Sequence, residues 1–200
     1  ADLPMLYGWL QRPHVAAWWR EPTTLAGLES DYCSAEALAS STRAFVALLG
    51  GEPIGFIQSY VALGSGGGWW KDETDPGTRG IDQFLVDEAR LGRDLGRAMV
   101  DAFARRLFAD PAVTRIQTDP SPDNPRAIRC YEKAGFRRVK TVTTPDGPAV
   151  YMVRTRSSED SPRRDRHGET ACRPSRCRSG TDRSRARRRG SGSGRRDMRS

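Results

Sequence analysis

The chain has 200 residues, one domain's worth with room for an appendage, and carries 33 basic against 25 acidic side chains. The excess belongs to one end: residues 157–200 hold 14 Arg and no Lys against 6 acids, so residues 1–156 hold 19 of each sign and no net charge. No run of about eighteen apolar residues is present, and no basic stretch leads into an apolar one near the start. These absences argue against a membrane-spanning helix and a secretion signal, and a cytoplasmic location is expected.

Met5–Trp19 reads as a helix with Leu6, Trp9, Leu10 and Pro13 near one face, ending in the pair Trp18-Trp19. Thr23 or Thr24 is placed to cap a second helix over Leu25–Leu38, with Leu25, Leu28, Tyr32 and Ala35 on a stripe. Ala44–Leu49 and Ile54–Val61 read as strands joined through Gly50-Gly51-Glu52-Pro53, a β-hairpin. Gly64–Gly68 is a loop leading into Trp69-Trp70, and Thr78–Val86 is a third strand. The helix Leu95–Phe108 buries Leu95, Met99, Ala102, Phe103 and Leu107, and Asp110-Pro111 stops it. Val113–Thr118 is a strand and Ala127–Ala134 a helix. Phe136–Thr143 with Ala149–Thr155 forms a closing hairpin around Asp146-Gly147. The order gives an α+β fold: a strand, glycine turn, helix and strand set within a mixed, mostly antiparallel sheet flanked by helices. The domain is expected to span 1–156. From Ser157 the chain is rich in Arg, Ser and Gly with Met198 its only large apolar residue, and disorder is expected for 157–200.

Cys33 and Cys130 fall in helix-like segments, while Cys172 and Cys177 flank a C-x4-C spacing with His167 the nearby imidazole. A zinc site needs more ligands than that, so reduced thiols and no metal are expected.

Two segments carry chemistry. Leu91-Gly-Arg-Asp-Leu-Gly-Arg-Ala-Met-Val100 places Gly92 and Gly96 where a helix begins; such a start exposes unpaired N–H groups that accept anions, with Arg93 and Arg97 as nearby cations. Ser121–Phe136 opens on turn formers and Asn124, continues with Ala127, Ile128, Tyr131 and Ala134 on one stripe, and ends in Gly135, a helix terminator, before Phe136.

Together, in this order, the two segments resemble the acyl-CoA core of the GCN5-related N-acetyltransferases. The resemblance implies that Leu91, Gly92, Arg93, Leu95, Gly96 and Arg97 cradle the pyrophosphate of acetyl-CoA. It also implies that the edge of Phe84-Leu85-Val86 pairs with the pantetheine amides, that Asn124 holds the pantetheine arm, and that Tyr131 protonates the departing thiolate. Two departures stand out. Leu91 and Asp94 occupy the first position and the middle glycine of the family's Arg/Gln-x-x-Gly-x-Gly/Ala pattern, and Asp94 sets a carboxylate near the pyrophosphate that Arg93 or Arg97 must offset. The family also begins with a strand ahead of its first helix. This chain opens at Ala1-Asp2-Leu3-Pro4, already at the helix, so a missing first strand and an unpaired sheet edge are expected.

A closer resemblance, to aminoglycoside 6'-N-acetyltransferases of the antibiotic-resistance type, runs from about Leu3 to Arg156. It rests on Tyr60–Trp70, Thr74–Gln83, Gln117–Pro122 and Thr143–Met152. It implies that Asp82 orients the attacking 6'-amine and takes its proton, that Asp119 and Asp146 hold other ammonium groups, and that Trp18, Trp19, Trp69 and Trp70 wall the site. Asp72, Glu73 and Asp75 are read as ordinary loop acids. Gly67 and Ser40 stand where the resembled enzymes carry acids, with Glu36 a possible substitute, which predicts weaker binding of drugs with more amines. The implied enzyme acts as a monomer by direct transfer, since Cys130 has no His partner for a covalent step. Two rival readings are a peptide or protein amine as acceptor, and non-specific nucleic-acid binding by the basic tail.

Overall fold

The computed structural model describes residues 2–19, 24–157 and 170–174, the last as backbone. The first predicted helix is two: α1 (Leu3–Leu10) and α2 (Pro13–Ala16). Pro13 has no N–H to continue α1 and pushes the residue before it out of helical space, and Arg12 is extended at φ −71, ψ 131. The second predicted helix is also divided. α3 (Leu25–Cys33) starts at Thr24, whose side chain accepts from Gly27 N–H; α4 (Ala35–Ala39) starts at Ser34, whose hydroxyl accepts from Ala37 N–H. A serine that can cap offers the chain a break in mid-helix, and here the chain takes it.

The remaining elements follow the expected order: β1 (Arg43–Leu49), β2 (Glu52–Val61), β3 (Thr78–Leu85), α5 (Leu95–Phe108), β4 (Arg115–Thr118), α6 (Pro125–Lys133), β5 (Arg137–Thr144) and β6 (Gly147–Thr155). A further strand, β7 (Thr170–Pro174), comes from the tail. The sheet runs β5-β6-β4-β3-β2-β1-β7, with β3 and β4 its parallel pair. Two expectations are corrected here. The outer edge of β1 is not bare, because Phe45–Leu49 pair antiparallel with Thr170–Pro174. The tail is therefore not wholly disordered, since an open row of backbone N–H and C=O groups recruits any strand within reach. The expectation for 158–169 and 175–200, and with it the nucleic-acid reading and the zinc reading of His167 and Cys177, lies outside the described residues. Cys33 is disulfide-bonded, contrary to the reduced thiols expected, while Cys130 is free.

Alternation along the strands splits the core into two layers. Ile57, Ile81, Ile116 and Met152 face Val100, Phe103, Phe108, Ile128 and Tyr131 of α5 and α6. On the opposite face Val46, Phe56 and Phe84 meet Leu6, Trp9, Leu10 and Leu28 of α1 and α3. Each such side chain contributes about 1.5–3 kcal/mol by leaving water. Arg154 of β6 fastens the helical layer, pairing with Asp101 of α5 at 2.8 Å and donating to the Ala134 carbonyl, at the end of α6, at 2.7 Å. The parallel pairing of β3 with β4 covers Thr78–Gly80 against Arg115–Gln117. Beyond it Ile81–Leu85 has no partner strand on that side, and the functional cleft lies in this split.

Candidate active site

Two hollows meet at Trp18 and Trp19, which line both. The first, a cleft of about 380 Å³, runs from the end of β3 to the facing starts of α5 and α6. Of the residues predicted to hold acetyl-CoA, Phe84, Leu85, Leu91, Gly92, Gly96, Arg97 and Asn124 line it. Val86, Arg93 and Leu95 do not. Val86 is buried with its N–H donating to the Ile54 carbonyl and its own carbonyl accepting from Arg12 Nη1 at 2.6 Å, so its backbone is already paired. Leu95 packs inward beside Ala47, Ile54 and Met99.

The turn into α5 starts the helix at Asp94, in the place of the lost glycine. Asp94 adopts a left-handed φ of 61°, a conformation Asp tolerates better than most residues, and makes no side-chain cap. Its carboxylate is drawn away by Lys133 Nζ at 3.0 Å and Arg97 Nε at 3.7 Å. Lys133, hydrogen-bonded and charged, is the main cause of its lowered pKa. The expected compensation by Arg97 is thus shared with a residue the sequence reading missed. Arg126, Arg129 and Lys133 also line this cleft, along with His14 and Gln83; the i, i+3, i+7 spacing of the three cations on α6 was legible in the sequence. At Gly96 a Cβ would lie 3.1 Å from Cys130 Sγ, so the glycine lets α5 and α6 close on each other. Asn124 Oδ1 caps α6 by accepting from Ala127 N–H at 3.0 Å, which leaves its amide nitrogen to a ligand.

These residues fit acetyl-CoA. Cations and free helix N–H groups suit its phosphates, and Val15, Phe84 and Leu85 suit the pantetheine arm. Two buried polar atoms on the wall residues, Trp19 Nε1 and Gln83 Oε1, have no hydrogen-bond partner. They are one donor and one acceptor, the complement of an amide.

The second hollow, about 590 Å³, is walled by Asp82, Asp119, Asp146, Trp18, Trp19 and Trp69 from the predicted set, joined by Gln58, Tyr60 and Ser40. Trp70 is not on the wall. Its indole donates from Nε1 to the Tyr60 hydroxyl at 3.0 Å and packs at 5.6 Å from Tyr151, so it buttresses Tyr60. Neither Gly67 nor the exposed Glu36 is on the wall, whereas Ser40 is. Asp72 and Asp123 are exposed, Glu73 is ion-paired to Arg115 at 2.7 Å, and Asp75 caps the turn at Gly77, so these acids shape loops and stay off the wall.

The cavity is acid-rich. Burial, then Asp82, then Asp146 push the Asp119 carboxyl up to about 8. Burial raises Asp82 as well, opposed by the hydrogen bond from Gln58. Tyr131 is buried beneath the junction, its hydroxyl hydrogen-bonded to Thr118 and Gln83, and burial raises its pKa well above the ordinary value. Such a phenol keeps its proton at neutral pH and can donate it in a hydrogen bond to a developing thiolate. Burial and Asp94 push the Cys130 thiol up to about 11, so it is no nucleophile at neutral pH. Among the described residues no cluster of His, Cys, Asp or Glu could hold a metal ion.

A parallel-strand split with an anion-binding helix start on one side and a carboxylate-lined cavity on the other defines an acyl-CoA-dependent amine acyltransferase. Comparison with known proteins agrees. The family described as the acetyltransferase (GNAT) domain matches residues 1–144. An aminoglycoside N(6')-acetyltransferase type 1 of Serratia marcescens is 57% identical over 82% of this chain and 83% of that protein. One from Klebsiella pneumoniae is 58% identical over 78% and 80%. The crystal structure of aminoglycoside acetyltransferase AAC(6')-Ib in complex with coenzyme A and kanamycin is 62% identical, with a TM-score of 0.73, over 78% of this chain and 90% of that one. The chain belongs to the GNAT acetyltransferases and, within them, to the aminoglycoside N(6')-acetyltransferase family.

Proposed function

We propose that this chain moves the acetyl group of acetyl-CoA onto the 6'-amine of aminoglycosides, by direct attack in a ternary complex, and so confers resistance to them. The observation that carries this reading is the wall of the second cavity, where three carboxylates stand among three indoles. Carboxylates pair with ammonium groups and indole faces stack on the C–H faces of sugars, a combination suited to a polycationic sugar and wasted on a plain peptide amine. The activity of the relatives and the kanamycin bound to AAC(6')-Ib support the same acceptor.

Acetyl-CoA supplies the acetyl group as a thioester with a thiolate leaving group. Asp82 accepts a hydrogen bond from the attacking amine and takes its proton as the C–N bond forms. Tyr131 holds a proton at its hydroxyl and delivers it to the departing sulfur. Asp119 and Asp146 hold further ammonium groups and so fix which amine faces the cleft. Trp18 and Trp19 shield the junction from water, and Lys133, Arg97, Arg126 and Arg129 hold phosphates. Acetyl-CoA is made inside the cell, which supports action in the cytoplasm.

Acetyl-CoA turnover with kanamycin-, tobramycin- and gentamicin-type drugs tests the reading, alongside a drug bearing a 6'-hydroxyl and a Lys-containing peptide. Turnover is expected with the 6'-amino drugs alone, with intersecting double-reciprocal lines. Failure with all three drug types, or acetylation of the peptide in their place, would overturn it.

A further inference from the structure

Asp82 is not alone on its strand. Gln58 of β2 is its direct cross-strand partner, so the two side chains leave the same face of the sheet. Gln58 Nε2 donates to Asp82 Oδ2 at 3.0 Å, and Gln58 Oε1 accepts from the Tyr32 hydroxyl at 3.3 Å. Tyr32 is held from α3 by an edge-on contact with Phe56, ring centroids 6.0 Å apart. The relay therefore links three elements, α3, β2 and β3, and it ends inside the acceptor cavity, whose wall includes both Gln58 and Asp82.

An amide presents a donor at one end and an acceptor at the other, and only the donor end suits a carboxylate. The Tyr32 hydroxyl, by donating to Oε1, settles which end faces Asp82. The charge of Asp82 acts on Tyr60 of β2, on Asp119 at the end of β4 and on Tyr131 of α6, and Asp146 of the β5–β6 turn acts on Asp119. Asp119 disfavours a second negative charge nearby, so the two buried carboxyls compete for one proton. Gln58 donates to Asp82 and so favours its ionised form, against the burial that disfavours it.

We infer that Gln58, its amide oriented by Tyr32, is a positioning residue for the acceptor amine: it occupies Oδ2 of Asp82, favours the ionised form of that carboxylate, and leaves Oδ1 to the incoming N–H. The inference rests on the reading of Asp82 as the carboxylate that receives the amine. It identifies a role for two residues that never touch the reacting atoms themselves.

The test is kcat and KM for a 6'-amino drug across pH 5.5–9, in the parent, Gln58→Ala, Tyr32→Phe and Asp82→Asn. Because the drug's own amines titrate identically with every enzyme, differences between profiles belong to the protein. In Gln58→Ala the acidic limb of kcat is expected to move up by about one pH unit, since a hydrogen bond to a charged group is lost. At pH 7 kcat falls about tenfold with KM for acetyl-CoA unchanged. Tyr32→Phe, which leaves Gln58 in place, moves the limb the same way by a smaller amount, and it carries the test alone if Gln58→Ala does not fold. An unmoved limb in Gln58→Ala, or in Tyr32→Phe where the alanine variant is unfolded, would overturn the inference even if stability or KM changed. Parental kcat in Asp82→Asn would instead remove the reading of Asp82 on which the inference stands.

Discussion

Replacing Asp119 by Asn is expected to stabilise the protein relative to the parent, and by more as pH rises. Burial and the neighbouring Asp82 and Asp146 push the Asp119 carboxyl up to about 8, against about 3.9 in an unfolded chain. Between those values the folded parent holds a proton that the unfolded chain has released. Its stability therefore falls with rising pH, at a limiting slope of about 1.4 kcal/mol per unit. Below about pH 4 both states are protonated and the penalty vanishes; above about pH 8 it is complete. A single group shifted this far would account for about 3.6 kcal/mol between pH 5 and pH 8. Asp119 is half-buried, and solvent in the cavity screens it, so about 2 kcal/mol is the expected difference. Urea denaturation of parent and Asp119→Asn at pH 5, 6.5 and 8 reads this directly. The advantage of the variant should grow by about 2 kcal/mol across the series, while its KM for aminoglycosides rises because an ammonium partner has gone. An advantage flat to within about 0.5 kcal/mol would refute the reasoning that the cavity is a desolvated acid site awaiting cations.

Three further outcomes follow from the geometry. Tyr131→Phe is expected to lower kcat by about 10²-fold with KM for either substrate little changed, read by steady-state kinetics; an unchanged kcat would remove its role as proton donor. Asp94→Gly frees Lys133 and Arg97 for phosphate and is expected to tighten acetyl-CoA about two- to fivefold at low salt, with the gain fading at high salt, by calorimetric titration. Gly80→Ala would set a Cβ 2.3 Å from the Tyr60 ring. It is expected to cost about 1–3 kcal/mol in urea denaturation and to raise the drug KM by shifting Tyr60 on the cavity wall.

How much was legible in the sequence differs from element to element. α5 was read with its observed ends because Gly96 near the start and Asp110-Pro111 after the end punctuate a strongly amphipathic run. The order and type of the strands were legible for the same reason, alternation bounded by glycines. The breaks at Pro13 and Ser34 were present in the sequence but outweighed by apolar stripes that continue across them. Asp82, Asp119 and Asp146 were found through resemblance, whereas Gln58, Tyr32 and Gln83 were not. Each of these three acts on a partner brought near by strand register or helix packing, and no spacing along the chain encodes that. The resemblance placed Trp70 on the wall with Trp69; its indole points instead to Tyr60 and Tyr151, which single-sequence reading could not separate. The pairing of Thr170–Pro174 with β1 was hidden by a composition that reads as disorder.

The central claim is that this cavity presents the 6'-amine of an aminoglycoside to the thioester. The most direct measurement incubates the full chain with acetyl-CoA and kanamycin, follows release of free CoA thiol, and locates the acetyl group on the product by NMR. One acetyl on the 6' nitrogen for each thiol released is the predicted result. Thiol release without acetylated drug, or an acetyl on any other nitrogen, would contradict the account.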